Sequence, residues 1–280
     1  MKTINYFLLL SIFWFLTACE KEAKNVDLPV VQPKLVVAAF LNPQEKQSNL
    51  FLSWSNPIYH NSDNTIQKEK DAKVFIEYLG NLYQMLYNTQ NERYEISKSQ
   101  LPIKAGDTYK MIIKSDKVSQ TLEAETIVPE KPDFEAKYIG MDSLLEEDYN
   151  YSYYEYRFFV DLKIKNSESP GYYRILAQGV DNNGTLINFL ISRNENRKIY
   201  GDMTERIYLS PDYFSENLKL KKIFFTVQKC DETYYRYNHA LEVYSDFDIF
   251  AEPTQVYSNV DNALGVFCSY NSITDTLIVK

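Results

Sequence analysis

Leu35-Val36-Val37-Ala38-Ala39-Phe40-Leu41, followed by Asn42-Pro43, decides the fold class. Its β-branched and aromatic residues suit a buried, pleated ladder. Asn-Pro ends it, because proline has no N–H to give to a sheet. The same grammar returns in Asn49-Leu50-Phe51-Leu52-Ser53-Trp54-Ser55, which alternates and stops at Asn56-Pro57. A polar loop, residues 60–71, precedes a third apolar run at 72–78. Gly80-Asn81 turns that run into 82–87. Tyr94-Glu95-Ile96, then 108–113 behind Ala105-Gly106-Asp107, then 117–128 complete the set. About seven short strands between turn residues predict a β-sandwich of immunoglobulin or fibronectin-III type over residues 34–129. Prolines at 129 and 132 break the ladder and mark a domain boundary.

Residues 132–280 read as a second β-rich domain. Strands are predicted at 134–141, 157–165, 172–180, 186–193 and 222–230, with a polar loop and a short helical turn over 194–220. The acidic, tyrosine-rich stretch 142–156 separates the first two. Asp181-Asn182-Asn183-Gly184 suits the positive φ angles of a hairpin turn. Tyr234, Tyr237, Leu241 and Tyr244 fall on one stripe of a helix near 231–246, with Asp231 or Thr233 as its cap. A last β pair, 264–270 and 275–279, closes the chain. The expectation is a mostly β protein: two β-sandwich-like domains, the second carrying one packed helix.

Composition narrows the function classes. Thirty Lys and Arg against 38 Asp and Glu give a formal charge of −8, which argues against a nucleic-acid binder. The 24 Tyr and 16 Phe favour broad aromatic faces on pleated sheets. Two histidines leave little material for a metal centre.

At the N-terminus, Lys2 precedes an apolar run over 6–16 and then Leu16-Thr17-Ala18-Cys19. A charged, then apolar, then small-residue order is that of a secretory signal. Leu-x-Ala-Cys resembles the lipobox of bacterial lipoproteins, which implies a signal peptide over 1–18 and a diacylglycerol on Cys19. The run to Ala18 is about 13 residues, or roughly 20 Å as a helix, short of the roughly 30 Å hydrocarbon core. Residues 19–33 read as the lipidated Cys and a charged, Pro-punctuated tether. Glu20-Lys21-Glu22 resembles the surface-export signal of Bacteroidota lipoproteins, so the cell-surface face is favoured over the periplasmic one. Cys230 and Cys268 remain. A bridge between them would close a loop of about 38 residues, worth roughly 4 kcal/mol in the chain-entropy model. Two separately buried thiols fit the spacing equally well.

Residues across the chain resemble the domain of unknown function 4249 family of Bacteroidota envelope lipoproteins. They are Lys34-Leu35-Val36-Val37, Ser55-x-Pro57-Ile58, Ala72-Lys73-Val74, Ala105-Gly106-Asp107-Thr108-Tyr109, Tyr234-Tyr235-x-Tyr237, 250–260 and Leu264-Gly265-Val266-Phe267. Asn262-Ala263 stands where that family tends to carry Gly-Gly. The resemblance implies an outer-membrane accessory lipoprotein working beside a TonB-dependent receptor in nutrient uptake or envelope assembly. It implies no catalytic residues and no cofactor.

The residues themselves carry little catalytic content. Glu146, Glu147 and Asp148 beside Tyr149, Tyr151, Tyr153 and Tyr154 are the candidates for a hydrolase of polysaccharide or peptide. Consecutive acids cannot flank one scissile bond from opposite sides, and a solvated loop covering a sheet edge fits them better. Asp246-Phe247-Asp248 and Asp181–Gly184 lack the spaced ligands of a calcium loop. His60 and His239 have no Cys or acidic partner at metal-ligand spacing. Ser143, Ser167 and Ser269 have no recognisable His partner. The leading expectation is a lipid-anchored binding or adaptor protein; a purely structural envelope protein is the third reading.

Overall fold

The computed structural model describes residues 32–56, 65–148, 151–168, 170–192, 195–212, 218–245 and 256–279. The first seven strands are β1 (Leu35–Leu41), β2 (Gln47–Trp54), β3 (Lys73–Tyr78), β4 (Asn81–Asn88), β5 (Arg93–Ser97), β6 (Thr108–Lys114) and β7 (Leu122–Ile127). There follow β8 (Asp133–Asp148), β9 (Tyr151–Lys165), β10 (Gly171–Asp181), β11 (Leu186–Ile191), β12 (Asn196–Ile199), β13 (Met203–Pro211) and β14 (Leu220–Cys230). Helix α1 (Glu232–Ser245) and β15 (Leu264–Ile278) complete the described chain. Hydrogen-bonded neighbours run β7-β6-β3-β4-β5-β2-β1-β15-β14-β10-β11-β13-β9-β8, with β12 on β10.

Period-two burial builds a core in each half. β1 buries alternate residues, Leu35, Val37, Ala39 and Leu41. They meet Leu50, Leu52, Tyr94 and Ile96 from β2 and β5, and Val74, Ile76, Met111 and Ile113 from β3 and β6. β4 joins the two layers, pairing β3 through residues 81–85 and β5 through 86–88. The second core sets Phe158, Val160 and Leu162 of β9 against Ile175 of β10 and Ile223, Phe225 and Val227 of β14. There β11 does the joining, pairing β10 through 186–188 and β13 through 189–191.

The mostly β architecture, with one packed helix among the described residues, is as expected, and its strands form one continuous 15-stranded sheet. The division into two domains is not confirmed, because one strand belongs to both halves. Residues 264–269 of β15 pair with β1, in parallel, and 270–278 pair with β14, antiparallel. The sequence reads as two strands here because Asn271 and Ser272 interrupt the apolar pattern. Asn271 is buried at the crossover, where its amide accepts from Gln44 Nε2 at 2.6 Å and donates to the Pro129 carbonyl at 3.0 Å. Pro132 is also buried, at the expected domain boundary. Two further differences concern length and polarity. The acidic stretch after 141 continues β8 and β9 as one long hairpin, and 194–220 contains β12 and β13.

Beyond β1, the other edge of β15 at Gly265, Phe267 and Ser269 has no strand beside it among the described residues. Side chains and loop backbone meet its polar groups instead, as buried backbone requires. Asn259 donates from its backbone N to the Gly265 carbonyl at 3.3 Å. Its side-chain amide accepts from Phe267 N at 3.0 Å and donates to Phe267 O at 2.9 Å. Asp231 repeats the arrangement on Ser269: its N donates to Ser269 O at 3.1 Å and its Oδ2 accepts from Ser269 N at 3.0 Å.

Gly265 sits at φ +98°, and a Cβ there would lie 1.9 Å from the Val37 carbonyl oxygen. Asn262 takes φ +62°. Asparagine tolerates that left-handed conformation better than other non-glycine residues, so the turn survives without the glycine pair. Gly265→Ala is expected to cost on the order of 3 kcal/mol, from backbone strain plus the clash. Asn262→Gly is expected to change stability by less than about 1 kcal/mol. Urea denaturation of the two variants checks both.

Candidate functional site

Helix α1 begins where β14 ends. Asp231 caps it, with Oδ1 accepting from Tyr234 N at 2.7 Å. The same carboxylate accepts from the hydroxyl of Thr126 on β7 and from Ser269 on β15. Ser269 Oγ lies 2.7 Å from Thr126 Oγ1 and donates to the Ile127 carbonyl at 3.0 Å. One partly buried acid therefore ties the helix start, β15 and the last strand of the first half together.

From this cap the helix lies over the sheet face opposite the second core. Tyr234 is buried and Tyr237 partly buried on Cys230, Val266 and Cys268. Tyr234 meets Phe40 edge-on at 5.9 Å and Tyr270 at 5.0 Å. The expected stripe holds for these two turns. Leu241 turns out to be exposed, and the side chain of Tyr244 lies outside the described residues. On the flank, Arg174 of β10 donates to Glu195 Oε2 through Nε (3.2 Å) and Nη2 (3.0 Å) and to Asn238 Oδ1 at 2.9 Å. Lys229 is buried and paired with Glu168 at 2.7 Å. These charges are committed to holding elements together.

Outside this layer lies an aromatic surface. Tyr172 of β10 packs on Tyr235 at 5.1 Å, and Tyr235 stacks on His239 at 5.7 Å with planes 8° apart. Lys198 Nζ sits 5.7 Å from the Tyr172 ring and 5.6 Å from that of Tyr200, which is 69 % exposed. Arg236 lies over Tyr257 at 5.3 Å and pairs with Glu232 at 3.0 Å. Half-exposed rings beside fixed donors and acceptors can stack on a ligand and orient it by hydrogen bonds.

The sequence candidates are scattered rather than gathered. Glu146, Glu147 and Asp148 end β8, paired in register with Tyr153, Ser152 and Tyr151; their side chains lie outside the described residues. They belong to a hairpin, not to a loop. Cys19, His60, Asp246 and Asp248 also lie outside the described residues. Ser143 is exposed on β8, and Ser269 is held by Thr126 and Asp231. Asp181 serves the turn, its Oδ1 accepting from Asn183 N at 2.8 Å and Thr185 N at 2.7 Å. Among the described residues no group of three His, Cys, Asp or Glu could hold a metal.

Cys230 and Cys268 share one buried face, as the disulfide reading needs, but both are free thiols. Cys230 stands opposite Tyr270, so Cys268 is its diagonal neighbour. In a regular ladder that spacing is about 7–8 Å, beyond the roughly 4.4–6.8 Å of a disulfide.

The described residues thus form a mostly β body whose halves share one strand, with a helix and an aromatic surface on one face. The chain belongs to the family described as a domain of unknown function (DUF4249), whose model matches residues 22–276. No curated protein matches it. Two parts of the sequence resemblance acquire a physical role here. Asn259 and Gly265 hold and fit the edge of β15, and Tyr234 and Tyr237 seat α1.

Burial raises the Asp231 carboxyl above its ordinary 3.8, against the hydrogen bonds from Thr126, Tyr234 and Ser269. Between pH 3.8 and that raised value the native state binds this proton more tightly than the unfolded chain. Stability from this group is therefore fully present below 3.8 and declines as pH rises through the raised value. Asp231→Asn should remove the decline. The urea midpoint of the variant relative to wild type is expected to increase as the pH rises from about 4 to about 8. Burial also pushes both thiols up, and the thiolate is the reactive form. Cys230 and Cys268 are expected to resist iodoacetamide in the folded protein and to label together on unfolding, as counted by intact mass.

Proposed function

We propose that this chain is a lipid-anchored accessory protein of the outer membrane that binds a ligand or partner for a TonB-dependent receptor, without chemistry of its own. The aromatic surface of Tyr172, Tyr235, His239 and Tyr200, flanked by Lys198 and Arg236, is the observation that carries this reading. Its rings offer contact area, while Arg236 is paired with Glu232 and Lys198 lies over the rings of Tyr172 and Tyr200. The lipobox-like Leu16–Cys19 supplies the anchor. A second acyl signal on such a cysteine gives lasting attachment, which one chain alone does not. Confinement to a surface raises the effective concentration of the body around a membrane partner.

Affinity purification from cross-linked membranes, followed by mass spectrometry, tests the reading. A TonB-dependent receptor is expected with the wild type and not with Cys19→Ala. Tyr235→Ala with Lys198→Ala is expected to lower its recovery several-fold while leaving membrane attachment intact. Recovery of no envelope partner above the Cys19→Ala background would overturn it.

A further inference from the structure

The hairpin of β8 and β9 outruns its sheet. β13 pairs with β9 only from Ile164 to Phe158, whereas β8 and β9 continue to Asp148 and Tyr151 as a two-stranded ribbon. A bulge at Tyr138–Gly140 lies just before the ribbon begins, which it does past the Met141–Phe158 pair. Arg157 fixes its base, donating to Asp142 through Nε at 2.9 Å and Nη2 at 2.7 Å.

β8 is the last strand of the path, so half of its N–H and C=O groups point outward. The opposite end is covered: on β7 the Glu123 carbonyl accepts from Asp261 N at 2.9 Å, and that of Ile127 accepts from Ser269 Oγ. β15 has Asn259 and Asp231. Exposed edges are normally guarded by charge, and the root of β8 follows that rule with Asp133, Glu135 and Lys137. Beyond the bulge the guard disappears. Ile139, Met141, Leu144 and Leu145 are exposed, Leu145 by 53 %, and the one charged residue among 138–145, Asp142, is occupied by Arg157.

We propose that the edge of β8 at residues 139–145 receives an extended segment of a partner protein as an added antiparallel strand, and that this segment is apolar and basic. The basic character follows from the arm's own sequence. Over 141–157 it carries Asp142, Glu146, Glu147, Asp148 and Glu155 against Arg157 alone, together with five tyrosines. Acids and aromatic faces both attract Lys and Arg. A second copy of this acidic arm, or an anionic lipid surface, would be repelled. Main-chain hydrogen bonds supply the affinity of an added strand, and alternate side chains the selectivity.

The test uses the full chain purified in detergent and a fluorescein-labelled decapeptide of alternating Lys and Val, followed by anisotropy. Saturable binding that weakens with salt is expected for this peptide, and none for its Glu/Val counterpart or its fully N-methylated form. Met141→Lys with Leu145→Lys should weaken binding about tenfold or more, as should charge reversal of Glu146 and Glu147, with an unchanged urea midpoint. Failure of the Lys/Val peptide to bind, equal binding of the N-methylated peptide, or variants that bind like wild type would each overturn the proposal. The outcome is independent of receptor recovery, which concerns the surface beside α1.

Discussion

Every polar backbone group along β15 has to find a partner, and the strand changes neighbours halfway. From Leu264 to Ser269 one edge is met by β1 and the other by Asn259 and Asp231; from Tyr270 onward β14 takes over. Leaving one of these groups buried and unmet costs about 1–3 kcal/mol, comparable to a sizeable part of a protein's net stability. Asp231 is central to this arrangement. It caps α1, holds Ser269 and reaches Thr126, so the helix, the shared strand and the first half stay in register through one carboxylate.

That constraint explains one group of polar residues in the interior. Asn271, Asn259, Asp231, Ser269 and Thr126 mark the seam between the two apolar cores, where a strand can be shared only if the loose edges at the crossing are satisfied. Each core has a buried polar residue of its own as well: Glu69, which accepts from Trp54, in the first half, and Asn166, which accepts from Tyr173, in the second. The two surfaces proposed for binding lie away from the seam, on the flank of α1 and on the β8–β9 ribbon.

The legible parts of the fold are those whose information is local. Leu35–Leu41 shows its own limits, since alternation and a following Asn-Pro are contained within a few residues. The first turns of α1 are equally plain from Tyr234 and Tyr237. β13 is obscured because its outward positions carry Thr204, Arg206 and Tyr208 and its inward face includes Glu205, a pattern that reads as polar without its partner β9. β15 is split in the reading because Asn271 is polar for a tertiary reason: its partners, Gln44 and Pro129, are more than a hundred residues away. The Thr126–Asp231–Ser269 contact has the same character. Only its capping role was visible locally, in an acid placed just before a helical stripe.

Parallel pairing of β1 with β15 also sets an order of events during synthesis. Val36 must wait for Leu264, a neighbour made 228 residues later. Until then the inner edge of the first sandwich layer is open, however well β2 to β7 have packed behind it. Contacts so far apart in sequence are slow to form, because loop closure precedes their reward. A chain synthesised from its N-terminus thus emerges with its earliest strand unfinished. The first half depends on the last segment delivered, and a chaperone that shields β1 in the interval would act on the most vulnerable edge of the nascent protein.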